Sequence, residues 1–553
     1  MVSLALASTA GMLVAAVLAG LTVWRLARPR GAWGERLRSR LLLGVPWGTL
    51  LLSAFVLAFY LVVQGGLGNR YAPLHLPFTS WSYRYPLGMV TAPFAHQSYG
   101  HLTGNLLGTL ALAPLAEYAF GHFPTERGES SFGSWRRNPY LRAFVGFPVA
   151  VSAVALATSL LHWGPIIGFS GAVFAFAGFA LVRYPLVTVA AFVGQRALGL
   201  AFDALRNPVT TASGGIQYSE PSWAGIAVLG HFLGLLLGAI GGVLLFRRRG
   251  SLPSAGRLAV GAVLVATLGD MWAIWWYRGA SEFVLYRGVG VAVLFVAAAM
   301  VALVSHASDR PLPVFEDVDR RTAAIALFVL PLVVVAFVAV PVNFATVPAE
   351  STPNPDGAVS VRGYDVTYAE DVPNPRIAGI NVSVGETATD VRTGGVIVVN
   401  PDRSMWTQAA APSELAARGY AVVRVGGVGW RREVVAARTG WNVAGNGSVY
   451  RVWLRPEGGA WSPSFASENR TARPVVAGRT VSVVTVPVTE TPNATTGFAL
   501  RVQTRNRTLG TAPIPTGNRT TRAGGVTFSR DGRRVVAFRN GTRVAVASRE
   551  SRI

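Results

Sequence analysis

The stretch Trp163-Gly164-Pro165-Ile166-Ile167-Gly168-Phe169-Ser170-Gly171-Ala172-Val173-Phe174 carries one nucleophilic hydroxyl at the opening of an otherwise apolar helix, entered from a short Trp-Gly-Pro loop. Gly168 and Gly171 let the backbone turn sharply and come close to a substrate. A helix N-terminus also favours negative charge, such as that of a tetrahedral intermediate. The alternative for this cluster is a small-residue face for helix packing. Further along, Gly230-His231-Phe232-Leu233-Gly234-Leu235-Leu236-Leu237-Gly238 sets a histidine inside a second apolar run. His231, Gly234 and Gly238 stand at i, i+3 and i+7 and share one helix face. Glycines at that spacing allow two helices to approach closely, which delivers His231 against a neighbour where a serine can meet it. Counted from a helix start near Ser222, His231 lies about 14 Å along the helix. The alternative is a structural histidine bonded to a backbone carbonyl. Nucleophilic and ionisable groups inside apolar spans are costly, so both residues are candidates for function.

Two more clusters lie upstream. His96 precedes His101-Leu102-Thr103-Gly104-Asn105, where His101 and Asn105 are i and i+4 on one helix and point the same way. Both could donate hydrogen bonds to a developing oxyanion. A metal pair is the rival reading, weakened by the absence of cysteine and of any nearby acidic ligand except Glu117. Glu117 and Gly121, near the end of the same helix, read as structural. All four clusters lie within 96–238, so a chain cut near residue 250 is expected to keep the whole catalytic apparatus.

These clusters sit in a strongly apolar setting. The chain has 553 residues, 51% hydrophobic and only 14% charged, with a mean hydropathy of +0.40. Ordinary soluble domains carry roughly 25% charged residues. Long apolar runs fill 1–343 and are scarce beyond. They predict about ten spanning helices, at 4–24, 41–64, 100–120, 143–162, 168–184, 185–205, 222–246, 258–277, 284–304 and 322–343. The run at 4–24 has no basic residue ahead of it and is long enough to span, so it reads as a membrane helix and not a cleaved signal. All 50 basic residues are arginine. Eighteen of them fall in connections on one side of the predicted membrane and four on the other, which places the first set in the cytoplasm and both termini outside. That bias accounts for much of the +23 net charge without a nucleic-acid partner. Asp270 and Arg287, in adjacent helices, either pair or sit separately near the exterior interface. The absence of cysteine excludes disulfides and thiolate chemistry.

The segment 344–553 is different. Short valine-rich alternating runs broken by Gly, Pro, Asn and Asp predict strands and turns. The clearest are 525–529, 533–539 and 542–548, a three-strand meander with Asp531-Gly532 and Asn540-Gly541 as turn residues of positive φ. Seven of the eleven Asn residues here stand in N-x-[ST] sequons, against none of the five upstream. Asn381, Asn446, Asn469, Asn493, Asn506, Asn518 and Asn540 are thus glycosylation candidates on an exterior domain.

In type and spacing, the four clusters resemble the rhomboid family of intramembrane serine proteases. The family's second core helix carries H-x(4)-H-x(3)-N and then E-x(3)-G, matched here by His96, His101, Asn105, Glu117 and Gly121. Its G-x-S-G is matched by Gly168, Ser170 and Gly171, and its H-x-x-G-x-x-x-G by His231, Gly234 and Gly238. The family usually has Tyr packed on the catalytic His; Phe174 keeps the ring and loses the hydroxyl. The family's Trp-Arg loop element has only a loose counterpart in Trp81 and Arg84. The resemblance covers about 41–246. It implies a six-helix catalytic core at 41–246; the apolar runs and strand pattern add an extra helix and an Arg-rich loop at 1–40, three added helices at 247–343 and a β-rich exterior domain at 344–553. The architecture is then an all-α polytopic membrane domain followed by a β-rich soluble one, in the cell membrane, with no cofactor. The implied activity is a Ser170–His231 dyad, assisted by His101 and Asn105, that cuts single-pass transmembrane substrates within the bilayer. A catalytically silent relative acting as a membrane chaperone or retrotranslocation factor would share the fold. A transporter is the third possibility, though no inverted repeat is visible.

Overall fold

The computed structural model describes residues 2–550 except 28–31, 125–128, 211–220, 251, 280–281, 312–316, 345–346, 379–382, 385–386, 389–390, 489–491, 493–496 and 506. Three glycosylation candidates, Asn381, Asn493 and Asn506, therefore lie outside the described residues. The chain divides into two compact units. The first comprises Met1–Gly214, Pro221–Trp276 and Val284–Phe344; the second comprises Ala345–Ile553 with Gly215–Glu220 and Tyr277–Phe283.

In the first unit each of the ten apolar runs contains a helix. These are α1 (Val2–Ala27), α2 (Trp47–Ala58), α3 (Tyr99–Phe120), α4 (Phe147–Leu161), α5 (Ser170–Leu181), α6 (Pro185–Arg206), α7 (Val228–Arg248), α8 (Ala255–Leu268), α9 (Arg287–His306) and α10 (Arg320–Phe344). Among the described residues, six segments are long and apolar enough to cross a membrane: Ala5–Leu26, Pro139–Leu161, Pro185–Arg206, Val228–Arg248, Arg287–His306 and Arg320–Phe344. Trp47–Val63, Ser170–Leu181 and Ala255–Leu268 are apolar but shorter.

Three boundaries differ most from the sequence reading. α2 begins at Trp47, not 41, since Leu42–Gly44 is a short 3-10 turn ahead of Pro46. α7 begins at Val228, not near Ser222, because Ser222–Gly225 forms turns after Pro221. The expected helix 258–277 stops at Leu268, and Trp275–Gly279 is instead a strand paired with Glu282–Leu285. Gly269 ends α8 and Asp270 takes a positive φ of 56°, which breaks helical continuity.

α5 is the pivot of this unit. Every residue from Gly171 to Leu181 is buried except Phe179, as suits a helix that is apolar all round. It has twelve residues, so it rises only ~18 Å, well short of a ~30 Å hydrocarbon layer. The residues that lead into it, 162–169, are irregular backbone. Within a membrane protein such backbone is tolerated where it is buried in protein or lines a watery cavity. α7 lies against α5 almost backbone to backbone. A Cβ on Gly234 would fall 2.0 Å from the Gly171 carbonyl oxygen, and one on Gly238 2.1 Å from that of Ala175. The approach is reciprocal, since a Cβ on Gly178 would fall 2.0 Å from the Leu235 oxygen.

The second unit is rich in antiparallel strands. Within Trp430–Val443, residues Val434–Asn442 pair with Ser448–Pro456, and the other edge pairs with Tyr420–Gly427 and then with the end of Thr542–Arg549. The meander appears as Val526–Asp531, Arg534–Arg539 and Thr542–Arg549. Asn540 and Gly541 both take positive φ in the second turn. In the first turn the paired ends are Asp531 and Arg534, so Gly532-Arg533 is the loop and only Gly532 has positive φ. Trp441, Val449, Phe498 and Phe528 are among the residues of one buried cluster. Of the described sequon residues, Asn469, Asn518 and Asn540 are exposed and Asn446 is half-buried.

Candidate active site

α5 starts at Ser170, so its hydroxyl stands at the helix mouth where the first backbone N–H groups have no intrahelical partner. Ser170 is half-buried, and it lines a cavity of about 670 Å³ together with His231, His101 and Asn105. Residues from three separate helices, α3, α5 and α7, thus meet around one space.

Each is held there by a definite contact. His231 lies in the first turn of α7, nearer the helix start than the sequence reading placed it. Its ring stacks on Phe174, with centroids 4.3 Å apart and planes at 25°. Phe174 is one turn past Ser170 on α5, so that stack fixes the histidine relative to the serine's own helix. Among the described residues His231 Nδ1 has no hydrogen-bond partner, and no hydrogen bond within 3.5 Å joins Ser170 to His231. Such bonds are often long in unliganded sites and tighten when substrate is bound.

Gly168 owes its identity to His101. Its φ is +123°, and a Cβ there would fall 2.6 Å from His101 Nε2 and 3.4 Å from Asn105 Nδ2. Gly171 is equally constrained, since a Cβ would sit 2.5 Å from Thr158 Oγ1 on α4. Asn105 Nδ2 lies 3.0 Å from His96 Nε2. With the amide donating, the imidazole nitrogen accepts, and the second amide N–H stays available on the cavity side. His96 is fully buried and stands edge-on to His101, with centroids 5.1 Å apart. Its backbone N–H donates to Gln64 Oε1, and Gln64 Nε2 donates back to the His96 carbonyl. His96 therefore supports Asn105 from behind, and His101 and Asn105 are the pair that face the cavity.

Glu117 is remote from this space. It accepts from the Gly48 and Thr49 backbone N–H groups, from Thr49 Oγ1 and from His122 Nε2, all at 2.7–2.8 Å. A carboxylate there caps the N-terminus of α2. His122 Nδ1 accepts from the Leu42 N–H, so its proton sits on Nε2 and points at Glu117. Gly121 ends α3 with φ of 72°.

Sequence reasoning missed one wall of the cavity, formed by Gln195 and Arg196 of α6 and by Leu268, Gly269 and Asp270 at the end of α8. Asp270 lies 3.4 Å from Arg196, not beside Arg287, whose guanidinium lies 5.6 Å from the Trp272 ring centre. A Cβ on Gly269 would fall 2.4 Å from the Phe174 ring. The cavity lining therefore extends beyond 96–238, and a cut near 250 removes part of its wall. An arginine inside the apolar stretch of α6 was the signal available for this wall. Trp81 is buried and donates to the Leu76 carbonyl, and Arg84 is exposed.

Comparison with known families matches a rhomboid domain to residues 83–248. The match takes in α3 to α7 and every residue of the cavity except Leu268, Gly269 and Asp270 at the end of α8. No curated protein and no solved structure matches the chain. Residues 83–248 thus match a rhomboid domain, in a chain that also carries several apolar helices long enough to span a membrane and a β-rich C-terminal region.

Proposed function

From that rhomboid domain we propose an intramembrane serine endopeptidase that cuts single-pass transmembrane proteins. Ser170 is the nucleophile. His231 takes its proton as the hydroxyl attacks the scissile carbonyl, then returns a proton to the leaving amine. His101, Asn105 and the Ser170 backbone N–H hold the oxyanion. The observation that carries this reading is the convergence of Ser170, His231, His101 and Asn105 on one cavity, with His231 stacked on Phe174. A helical substrate must unwind before its carbonyl can be attacked, because a hydrogen-bonded helix backbone is shielded. Substrates with small or helix-breaking residues near the cut fit that requirement. No cofactor is needed for this chemistry.

The reading extends to topology. The arginine bias supports a multi-pass protein of about ten spans in the cell membrane with both termini outside. The sequons support a glycosylated exterior domain. The test is cleavage of a single-pass substrate by purified full-length protein in liposomes. Wild type should cut it, and Ser170→Ala and His231→Ala should each lose nearly all turnover while keeping the wild-type melting curve, because nucleophile and base act as a unit. A folded wild type that cuts no substrate in the panel would instead favour a silent relative with a chaperone role.

A further inference from the structure

The end of α3 opposite the cavity gathers three guanidiniums from separate parts of the chain. Arg40 donates through Nε to the Tyr118 carbonyl (3.4 Å) and through Nη2 to that of Ala119 (3.0 Å). Arg249 donates to the same Ala119 oxygen (3.0 Å) and to Phe120 (3.1 Å). Arg142 donates to Phe120 (3.3 Å), Gly121 (3.0 Å) and the Arg136 carbonyl (3.3 Å). Two shared acceptors, Ala119 O and Phe120 O, hold the three groups side by side.

These are the final carbonyls of α3, which lack intrahelical donors and carry the negative end of the helix dipole. Capping them explains why one arginine is there, not why there are three. The dipole is equivalent to about half a charge against three unit charges. Among the described residues no carboxylate pairs with Arg40, Arg142 or Arg249. Each guanidinium has five N–H groups, fifteen in all, and the seven bonds above leave about half of them without an acceptor among these contacts. All three residues are only half-buried, so the cluster is open to the surface in part. Beside them Tyr140, Leu141, Phe144 and Val145 are exposed, an apolar face continuous with α4.

We propose that Arg40, Arg142 and Arg249 form a binding site for an anionic phosphate group, supplied by an acidic phospholipid headgroup or by free phosphate. Guanidinium forks match phosphate oxygens in pairs, and clustered like charges are relieved by an anion between them. With a phospholipid, the acyl chains lie along Leu141, Phe144 and Val145. The site is independent of the proteolytic reading.

The test uses full-length protein, delipidated in neutral detergent and titrated separately with phosphatidylglycerol, phosphatidylcholine and inorganic phosphate. Bound species are counted by native mass spectrometry and melting is followed in parallel. Expected is one saturable phosphatidylglycerol per chain with a raised melting temperature, and no such class for phosphatidylcholine. Inorganic phosphate that binds as tightly would keep the site and assign it to free phosphate. Arg142→Gln should weaken binding about tenfold, the loss of a charge-assisted contact. The triple control Arg36→Gln, Arg38→Gln, Arg137→Gln removes three exposed charges outside the cluster and should retain binding. If Arg142→Gln does not fold, the comparison of the two lipids on wild type still decides. Equal binding of the two lipids with no effect of phosphate, or equal loss in the control, would overturn the proposal.

Discussion

At Gly168 the space for a side chain is taken by the His101 ring, and the backbone has a φ that other residues rarely adopt. Gly168→Ala must therefore displace His101 or distort the entry to Ser170. It should reduce turnover on a model substrate by at least tenfold with the helices still folded, as read by cleavage rate beside circular dichroism. Phe174 makes a subtler case. Phe174→Tyr keeps the ring that stacks on His231 and should leave activity within a few-fold. Phe174→Ala removes a contact worth about 0.5–1.5 kcal/mol beyond area burial and lets the base wander. A larger rate loss for Tyr than for Ala would refute this role. For Asn105→Ala, removal of one oxyanion donor should cost about 10²–10³ in kcat with little change in KM. The four cavity residues were legible because polar groups in apolar helices have few other uses. Of the Arg196–Asp270 wall only Arg196, in the middle of α6, left such a mark; Asp270 follows the end of α8, where a charge carries no such signature.

Between helices, the controlling contact is α5 on α7. Gly238→Leu would drive a side chain into the Ala175 carbonyl and push the helices apart, taking His231 away from Ser170. It should destabilise the protein by several kcal/mol and abolish cleavage; a normal melting curve would show that the glycines are not needed for packing. Glu117→Gln tests a different joint. It replaces a carboxylate that accepts four hydrogen bonds at the start of α2, and it should lower stability by roughly 1.5–3 kcal/mol without changing kcat at temperatures where the protein stays folded. The glycine stripe and the helix positions were readable from periodicity and length. The start of α7 and the end of α8 were not, because hydropathy does not distinguish Ile274-Trp275-Trp276-Tyr277 as strand from the same apolar residues as helix. Gly269 and the positive φ of Asp270 mark that break only once the backbone is seen.

For the molecule as a whole, the two units should respond differently to truncation. A chain ending near residue 250 lacks Leu268–Asp270, which wall the cavity, and Gly269, which abuts Phe174. Such a chain should lose most activity even when folded, whereas one ending near residue 344 should retain it. Equal activity of both would show that α8 is dispensable. The meander of the second unit was readable from its Asp-Gly and Asn-Gly turns; the longer pairings around Trp430–Val443 were not, because nothing local fixes which strands meet. The central claim, however, is that Ser170 is a nucleophile activated by His231. A fluorophosphonate probe, applied to purified wild type, Ser170→Ala and His231→Ala and followed by mass spectrometry of the modified peptide, tests it most directly. The account predicts a single adduct on Ser170 in wild type, none in Ser170→Ala and a strongly reduced yield in His231→Ala. Equal labelling of Ser170→Ala, or an adduct that maps to another residue, would contradict it.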